Sequence, residues 1–463
     1  MTHLRTAIRI ASLSMTLAPP ALIAQQSQFQ GSVPSGTASS TPVLLTLQDA
    51  IDRGLKANLG LLVSDSVSEF ARGARVRSLS ALLPSVNGQI SQTVEQLSLK
   101  TIGLNLSVPG VYVPVIVGPF HYTDAHASTS WDVFNYSSIK NYRSARESER
   151  AARLSAQDAH DLVVQAVATG YLQIIADASR IGAIRSQVRT AQTLYDRSVD
   201  QRRAGTAAGI DVLRSQVELK QQEQRLLAQE NQFAKDKLAL ERIIGLPPGQ
   251  DFNIGETVPF APLTSFTPEQ ALRIAYNQRR DYQSYKAQVR AAEEAVKAAR
   301  AERYPTGNIA FDYGDVGASL ASSHGTFTFA ASARFNIFDA GRISGDVIQA
   351  KAALKQRQDE LADLGGQIDY QVRAAFLDIR TAADQVAVAR SSLELANQTL
   401  DQARDRFAAG VTDNIEVVQA QESVASANDS LIGALFAHNL AKVELARTLG
   451  SGEQGLQRFV EEK

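Results

Sequence analysis

Three carboxylates stand out by position. Asp211 follows Gly205 in "RRAGTAAGIDVLRSQ" (202–216), and Asp413 and Glu416 follow Gly410 in "FAAGVTDNIEVVQAQ" (407–421). Both glycines interrupt Ala/Gln-rich sequence that otherwise reads as continuous helix, so each carboxylate falls in a first turn, where the backbone dipole favours it. Their chemistry is electrostatic. Bond-making chemistry finds no support: the six His show no metal-ligand spacing, and neither a phosphate loop nor a nucleophile elbow occurs. The absence of cysteine removes disulfides, thiolate metal sites, a Cys nucleophile and a lipidated N-terminal Cys. Neither an enzyme nor a cofactor is expected. With 47 Lys+Arg against 48 Asp+Glu there is no basic field, and nucleic acid is not an expected partner.

The two breaks belong to a chain written twice. "TLQDAIDRGLKAN" from Thr46 matches "TPEQALRIAYNQR" from Thr267, and Pro84 matches Pro305, both at an offset of 221. "WDVFNY" from Trp131 matches "FNIFDA" from Phe335 at 204, whereas Gly205 with Gly410, and "RIIGL" with "RTLGS", are spaced by 205. The shrinking offset marks an insertion in the first copy, within "LNLSVPGVYVPVIVGPF".

Each copy reads as a helix, a pair of strands, a very long helix, the glycine break and a final helix. Thr46 with Asp49, and Thr267-Pro268-Glu269, are helix starts, and Pro84 and Pro305 close the opening helices. The period then changes from about 3.6 to about 2. "GTFTFAASARFNIF" sets Phe327, Phe329, Ala331, Ala333, Phe335 and Ile337 opposite Thr328, Ser332, Arg334 and Asn336. "HASTSWDVF" repeats the alternation more weakly. A soluble half-buried strand has the same pattern, but aromatic pairs at the strand ends, Trp131 with Phe134 and Phe335 with Phe338, favour a lipid–water boundary. Four strands are too few to close a barrel and an open edge cannot face lipid, so several chains must share the sheet. His121, His126 and His324 lie in or beside the hairpins and read as lumen or loop residues. In the second long helix Val372, Ile379, Val386, Leu393, Leu400 and Phe407 recur every seven residues, with Ala375, Ala382, Ala389, Ala396 and Ala403 three later. This is a coiled-coil seam, echoed by Val167, Ile174, Ile181, Val188 and Tyr195. From Ile343 to Phe407 it would reach roughly 100 Å.

The expected organisation is a secretory signal at 1–24, where Arg5 and Arg9 precede a modest apolar run, then a flexible linker at 25–45. The first repeat spans 46–250, with a hairpin at about 85–135 and its break at 203–211. A linker at 251–266 leads to the second repeat at 267–450, with a hairpin at about 306–338, a break at 408–416 and a tail at 451–463. No spanning helix is expected beyond the N-terminus.

This ordered combination resembles the TolC family of outer-membrane efflux proteins, from about Thr46 to Gly450. The two break segments carry the likeness, with "FNIFDAGRISGD", which is similar to the family's apolar-Phe-Asp-Gly-Gly junction. The resemblance implies a mainly α fold with a membrane β-barrel: a homotrimer with an α-helical barrel and a shared twelve-stranded β-barrel, four strands per chain. It implies a passive duct in the bacterial outer membrane with a long periplasmic extension. A periplasmic adaptor (membrane fusion) protein would link it to an inner-membrane pump, for efflux or type I secretion. Drug, metal and protein cargoes stay open, because cargo choice sits mostly in the pump. The other reading, a structural or adhesive trimeric coiled-coil surface protein, explains the heptads but neither the hairpins nor the duplication.

The same resemblance makes the breaks the periplasmic tips of the duct. Aligned on Gly410, Glu416 falls on the first of two inward Asp positions of the family's entrance ring, and Gln419 on the second. Three Glu416 would favour cations with half the paired charge. In the well-studied closed tip an Asp at the position of Asp211 bonds a Tyr at that of Phe407, and a Thr at that of Ile210 pairs with an Arg at that of Thr412. Phe407, Ile210 and Thr412 cannot form those bonds, so closure is expected to use apolar packing of Phe407 and Ile210. Gly205, Thr206, Ala207, Gly410 and Val411 are the expected adaptor contacts, because small residues permit close helix approach.

Overall fold

A computed structural model describes residues 29–101, 103, 110, 114–255, 260, 267–412 and 414–456. The expected signal, most of the insertion, most of 256–266, Asp413 and the end of the tail lie outside the described residues.

Two very long helices set the length of the molecule: α3 (Tyr136–Arg203, 68 residues) and α7 (Arg342–Ala408, 67 residues). Each spans roughly 100 Å at 1.5 Å per residue. Toward the tips α3 packs against α4 (Gly209–Ile244) and α7 against α8 (Asn414–Leu449), with α8 also touching α3. Toward the sheet, α2 (Leu59–Ser80) and α6 (Arg280–Ala301) take the places of α4 and α8.

The heptads explain the packing. Val372, Ala375, Ile379, Ala382, Val386, Ala389, Leu400 and Ala403 are all buried. The duplication is also visible in three dimensions. Val163, Val167, Ile174, Leu240 and Ile244 form the first core, and residues 205 later, Ile368, Val372, Ile379, Leu445 and Leu449, form the second. By length and composition α3 alone among the described helices could cross a membrane; its apolar residues are instead the hub of the first core.

The structure differs from expectation at three places. Each opening helix is two helices, α1 (Leu47–Ala57) then α2, and α5 (Pro268–Gln278) then α6. The breaks fall at Asn58 and Arg279, which correspond at the 221 offset. No glycine or proline sits at either break; polar side-chain bonds do the work, and Asn58 also caps α2 by accepting from Gly60 N at 2.9 Å. Asn58 donates from Nδ2 to Phe29 O at 2.6 Å, and Arg279 forks onto both oxygens of Asp281 at 3.0 and 2.6 Å. Second, part of the expected flexible linker is anchored. Phe29 is buried, and β1 (Val43–Leu45) pairs in parallel with β4 (Phe252–Ile254). A few apolar side chains there outweigh the Gly/Ser composition.

The third difference concerns the sheet. β2 (Ser85–Ser98), β3 (Ile116–Phe134), β5 (Thr306–Gly317) and β6 (His324–Arg334) form one antiparallel sheet in that order. The last β5–β6 pair is Thr306 with Arg334, because Pro305 has no N–H to extend the ladder. Phe335, Ile337 and Phe338 therefore lie past the strand, exposed in the turn before α7, where Asp339 caps the helix by accepting from Gly341 N at 3.1 Å and Ile343 N at 3.0 Å. Those two bonds hold the Asp339 carboxyl below the usual range.

A polar cluster ties the copies together where α3, α5, α6 and α8 meet. Arg447 of α8 reaches Asp158 of α3 at 2.8 Å, without aligning an N–H on Oδ1. Burial, opposed by Arg447, pushes the Asp158 carboxyl up to about 6, with Asp281 adding to the rise.

Candidate functional site

The site of interest is the pair of helix-turn-helix tips. At both, a left-handed glycine ends the long helix: Gly205 has φ +75° and Gly410 φ +72°. Thr206 N donates to Gln201 O at 2.9 Å and Val411 N to Arg406 O at 3.0 Å, so the last carbonyls are satisfied in the same way twice. A side chain at either glycine would strain the turn.

The returning helices differ. Asp211 is committed to its own turn: Oδ2 accepts from Ala208 N at 3.3 Å, and Arg214 approaches Oδ1 at 3.8 Å. Helix capping accounts for this carboxylate. Glu416 is half exposed and pairs across the second break with Arg406 at 3.5 Å. Such a surface pair is worth about 0–1 kcal/mol, but it places a cation beside the carboxylate that sequence reading singled out. Gln419 is exposed and Thr412 half-buried. Phe407 packs into the seam of its own hairpin with Leu400, Ala403 and Val417, whereas Ile210 stays exposed on the other tip. Gly205, Thr206, Gly410 and Val411 are exposed, Ala207 half-buried.

Sequence reading missed Arg406 because a pair across a turn follows no helical spacing. It also missed Asn414, fully buried at the start of α8, which donates from Nδ2 to Asp211 O at 2.7 Å. This bond joins the two tips within one chain. Arg225 of α4 adds a second link, gripping both oxygens of Glu422 of α8 at 2.8 and 2.9 Å. Asn414→Ala is expected to cost about 1 kcal/mol by removing that bond, while Asp211 O keeps the Ser215 hydroxyl as a donor. The readout is limited proteolysis of the detergent-solubilised protein, with faster cleavage near 204–209; unchanged cleavage would show that the tips are held otherwise.

The sheet supplies the other half of the geometry. On one face lie Val86, Ile90 and Val94, Trp131, Phe311 and Tyr313, Phe327 and Phe329, all substantially exposed in the single chain. The opposite face carries Asn87 and Gln89, Asp124, His126 and Ser128, Asn308 and Asp312, and Thr326 and Thr328. Trp131 sits at the end of its strand with Nε1 donating to Leu82 O at 3.0 Å, and Phe134 is exposed beside it.

Long antiparallel helices below a four-stranded sheet with one apolar and one polar face define a TolC-type outer-membrane channel chain. The fold is shared with solved channels: CusC, with a TM-score of 0.76 at 17% identity over 90% of this chain and 99% of that one, and VceC of Vibrio cholerae, with 0.75 at 17% over 87% and 96%. The open state of the Neisseria gonorrhoeae MtrE channel gives 0.75 at 17% over 90% and 94%. By sequence, the pyoverdine export outer membrane protein OpmQ of Pseudomonas putida is 23% identical, covering 72% of this chain and 71% of its own length. The cation efflux system protein CusC of Escherichia coli is also 23% identical, covering 71% and 72%. Residues 73–246 and 271–451 match the outer membrane efflux protein family, and the chain belongs to that family. It is an outer-membrane efflux channel component, and the reading as a coiled coil without transport falls away.

Proposed function

We propose that three copies of the chain close their sheets into one twelve-stranded barrel and continue it as a helical tunnel into the periplasm. The observation that carries this reading is the sheet itself: β2 and β6 are open edges, and an apolar face lies exposed beside a polar one. Open edges are intolerable in lipid and are removed by closure between copies. Trp131, Phe134, Phe335 and Phe338 would then stand at the lipid–water boundary. Transport is passive. The chain offers a polar bore and a constriction at the tips, and energy enters through an inner-membrane pump joined by a periplasmic adaptor.

The adaptor is proposed to meet Gly205, Thr206, Ala207, Gly410 and Val411, where small side chains let another helix approach. The tips would close by apolar packing that includes Ile210, with Phe407 bracing its own hairpin. Glu416, and Gln419 one turn on, would face the entrance. Outer-membrane fractions are expected to yield a species of three chains that dissociates to single chains on boiling. A soluble species that runs as one chain before and after boiling would overturn the proposal.

A further inference from the structure

Resting on the channel reading, we propose that His126, held between Asp124 and Asp312, sets the cation preference of the barrel bore and relaxes it on protonation. His126 Nδ1 lies 3.0 Å from Asp124 Oδ1, and Nε2 lies 4.0 Å from Asp312 Oδ2 on the neighbouring strand. The side chains of His126, Asp124 and Asp312 are 25%, 26% and 40% exposed, so the group is open to water. All three stand on the polar face of the sheet, the face a lipid-embedded barrel turns inward.

The strands make room for this arrangement. Gly314 is the β5 partner of His126, and a Cβ there would fall 2.3 Å from that of His126. Any other residue would push the strands apart or displace the imidazole. The β2 partner, Gln89, is uncharged. The other ionisable groups on this face are farther along it: Glu95 on β2, Tyr122 and Asp132 on β3, and His324 and Arg334 on β6. Asp132 is occupied by Asn308 at 2.9 Å and Asn135 at 3.3 Å.

Imidazole is the side chain whose charge changes between about pH 5 and 8, whereas carboxylates remain ionised over most of that range. With His126 neutral, the group presents two negative charges per chain. With His126 protonated it presents one, and the bore loses part of its attraction for cations. Glu416 is separated from this group by the length of α3, so its charge cannot substitute.

The chain has no cysteine, so Gln89→Cys places a unique thiol opposite His126. The test compares its rates of reaction with a cationic and an anionic methanethiosulfonate in the intact outer-membrane protein; their ratio cancels the thiolate fraction. Between about pH 8 and pH 5.5 the cationic-to-anionic ratio is expected to fall by about five-fold, the size of one elementary charge acting at some 8 Å through water. In a His126→Gln background the ratio stays flat, and in a His324→Gln background the fall persists. A fall that survives His126→Gln, or a flat ratio in the parent, overturns the inference while leaving the channel intact. A thiol that reacts with neither reagent until the protein is denatured shows that this face does not line water, and overturns the channel reading as well.

Discussion

Arg447→Ala is expected to lower the stability of the folded protein by about 2–3 kcal/mol near pH 8, the cost of taking the nearest cation from a largely buried carboxylate that keeps only Arg279. Asp158 is already strained by burial, with its carboxyl raised to about 6 against 3.8 for the free group. A carboxyl whose folded pKa lies above its unfolded one contributes most stability below the unfolded value, and that contribution is lost as pH rises through the folded value. Removing Arg447 raises Asp158 further. The deficit should therefore be largest at pH 8 and shrink toward pH 5, where Asp158 carries its proton. Thermal melts followed by helical circular dichroism at the two pH values measure this, and a deficit independent of pH would show that packing, not charge, is what Arg447 supplies.

The second large effect is at the entrance. Glu416→Ala is expected to reduce cation preference in planar-bilayer recordings by roughly three-fold and to weaken block by multivalent cations. Arg406→Ala should move both quantities the other way, because it removes the cation 3.5 Å from the same carboxylate. Opposite signs from two substitutions in one hairpin distinguish charge at the entrance from general damage to the tip. If both variants shift selectivity in one direction, Glu416 does not face the pore.

The long helices, the breaks and the two hairpins were legible in the sequence because periodicity and glycine encode local geometry directly. Val372 to Phe407 announce a seam at every seventh residue, and Gly205 and Gly410 can only be turns of one kind. The kinks at Asn58 and Arg279 were not legible, since neither carries a glycine or proline and they rest on side-chain bonds, from Asn58 to the sequence-distant Phe29 and from Arg279 to its neighbour Asp281. Phe335 and Phe338 were placed inside a strand because alternation continues past Arg334; the limit comes from Pro305 on the partner strand. At the tips, sequence singled out Glu416 but not the Arg406 that tempers it, nor Asn414, whose amide acts on the other copy's backbone.

The nearly equal lengths of α3 and α7, 68 and 67 residues, carry a consequence for how such a chain can change. One heptad added to α7 alone would carry Gly410 about 10 Å beyond Gly205, and Asn414 would no longer reach Asp211. A single inserted residue would rotate the seam by about 100° and bury polar positions. Viable length variants must insert matched heptads in α3, α4, α7 and α8 together. The reach of the molecule across its compartment is thus quantised, and it can evolve only in coordinated steps.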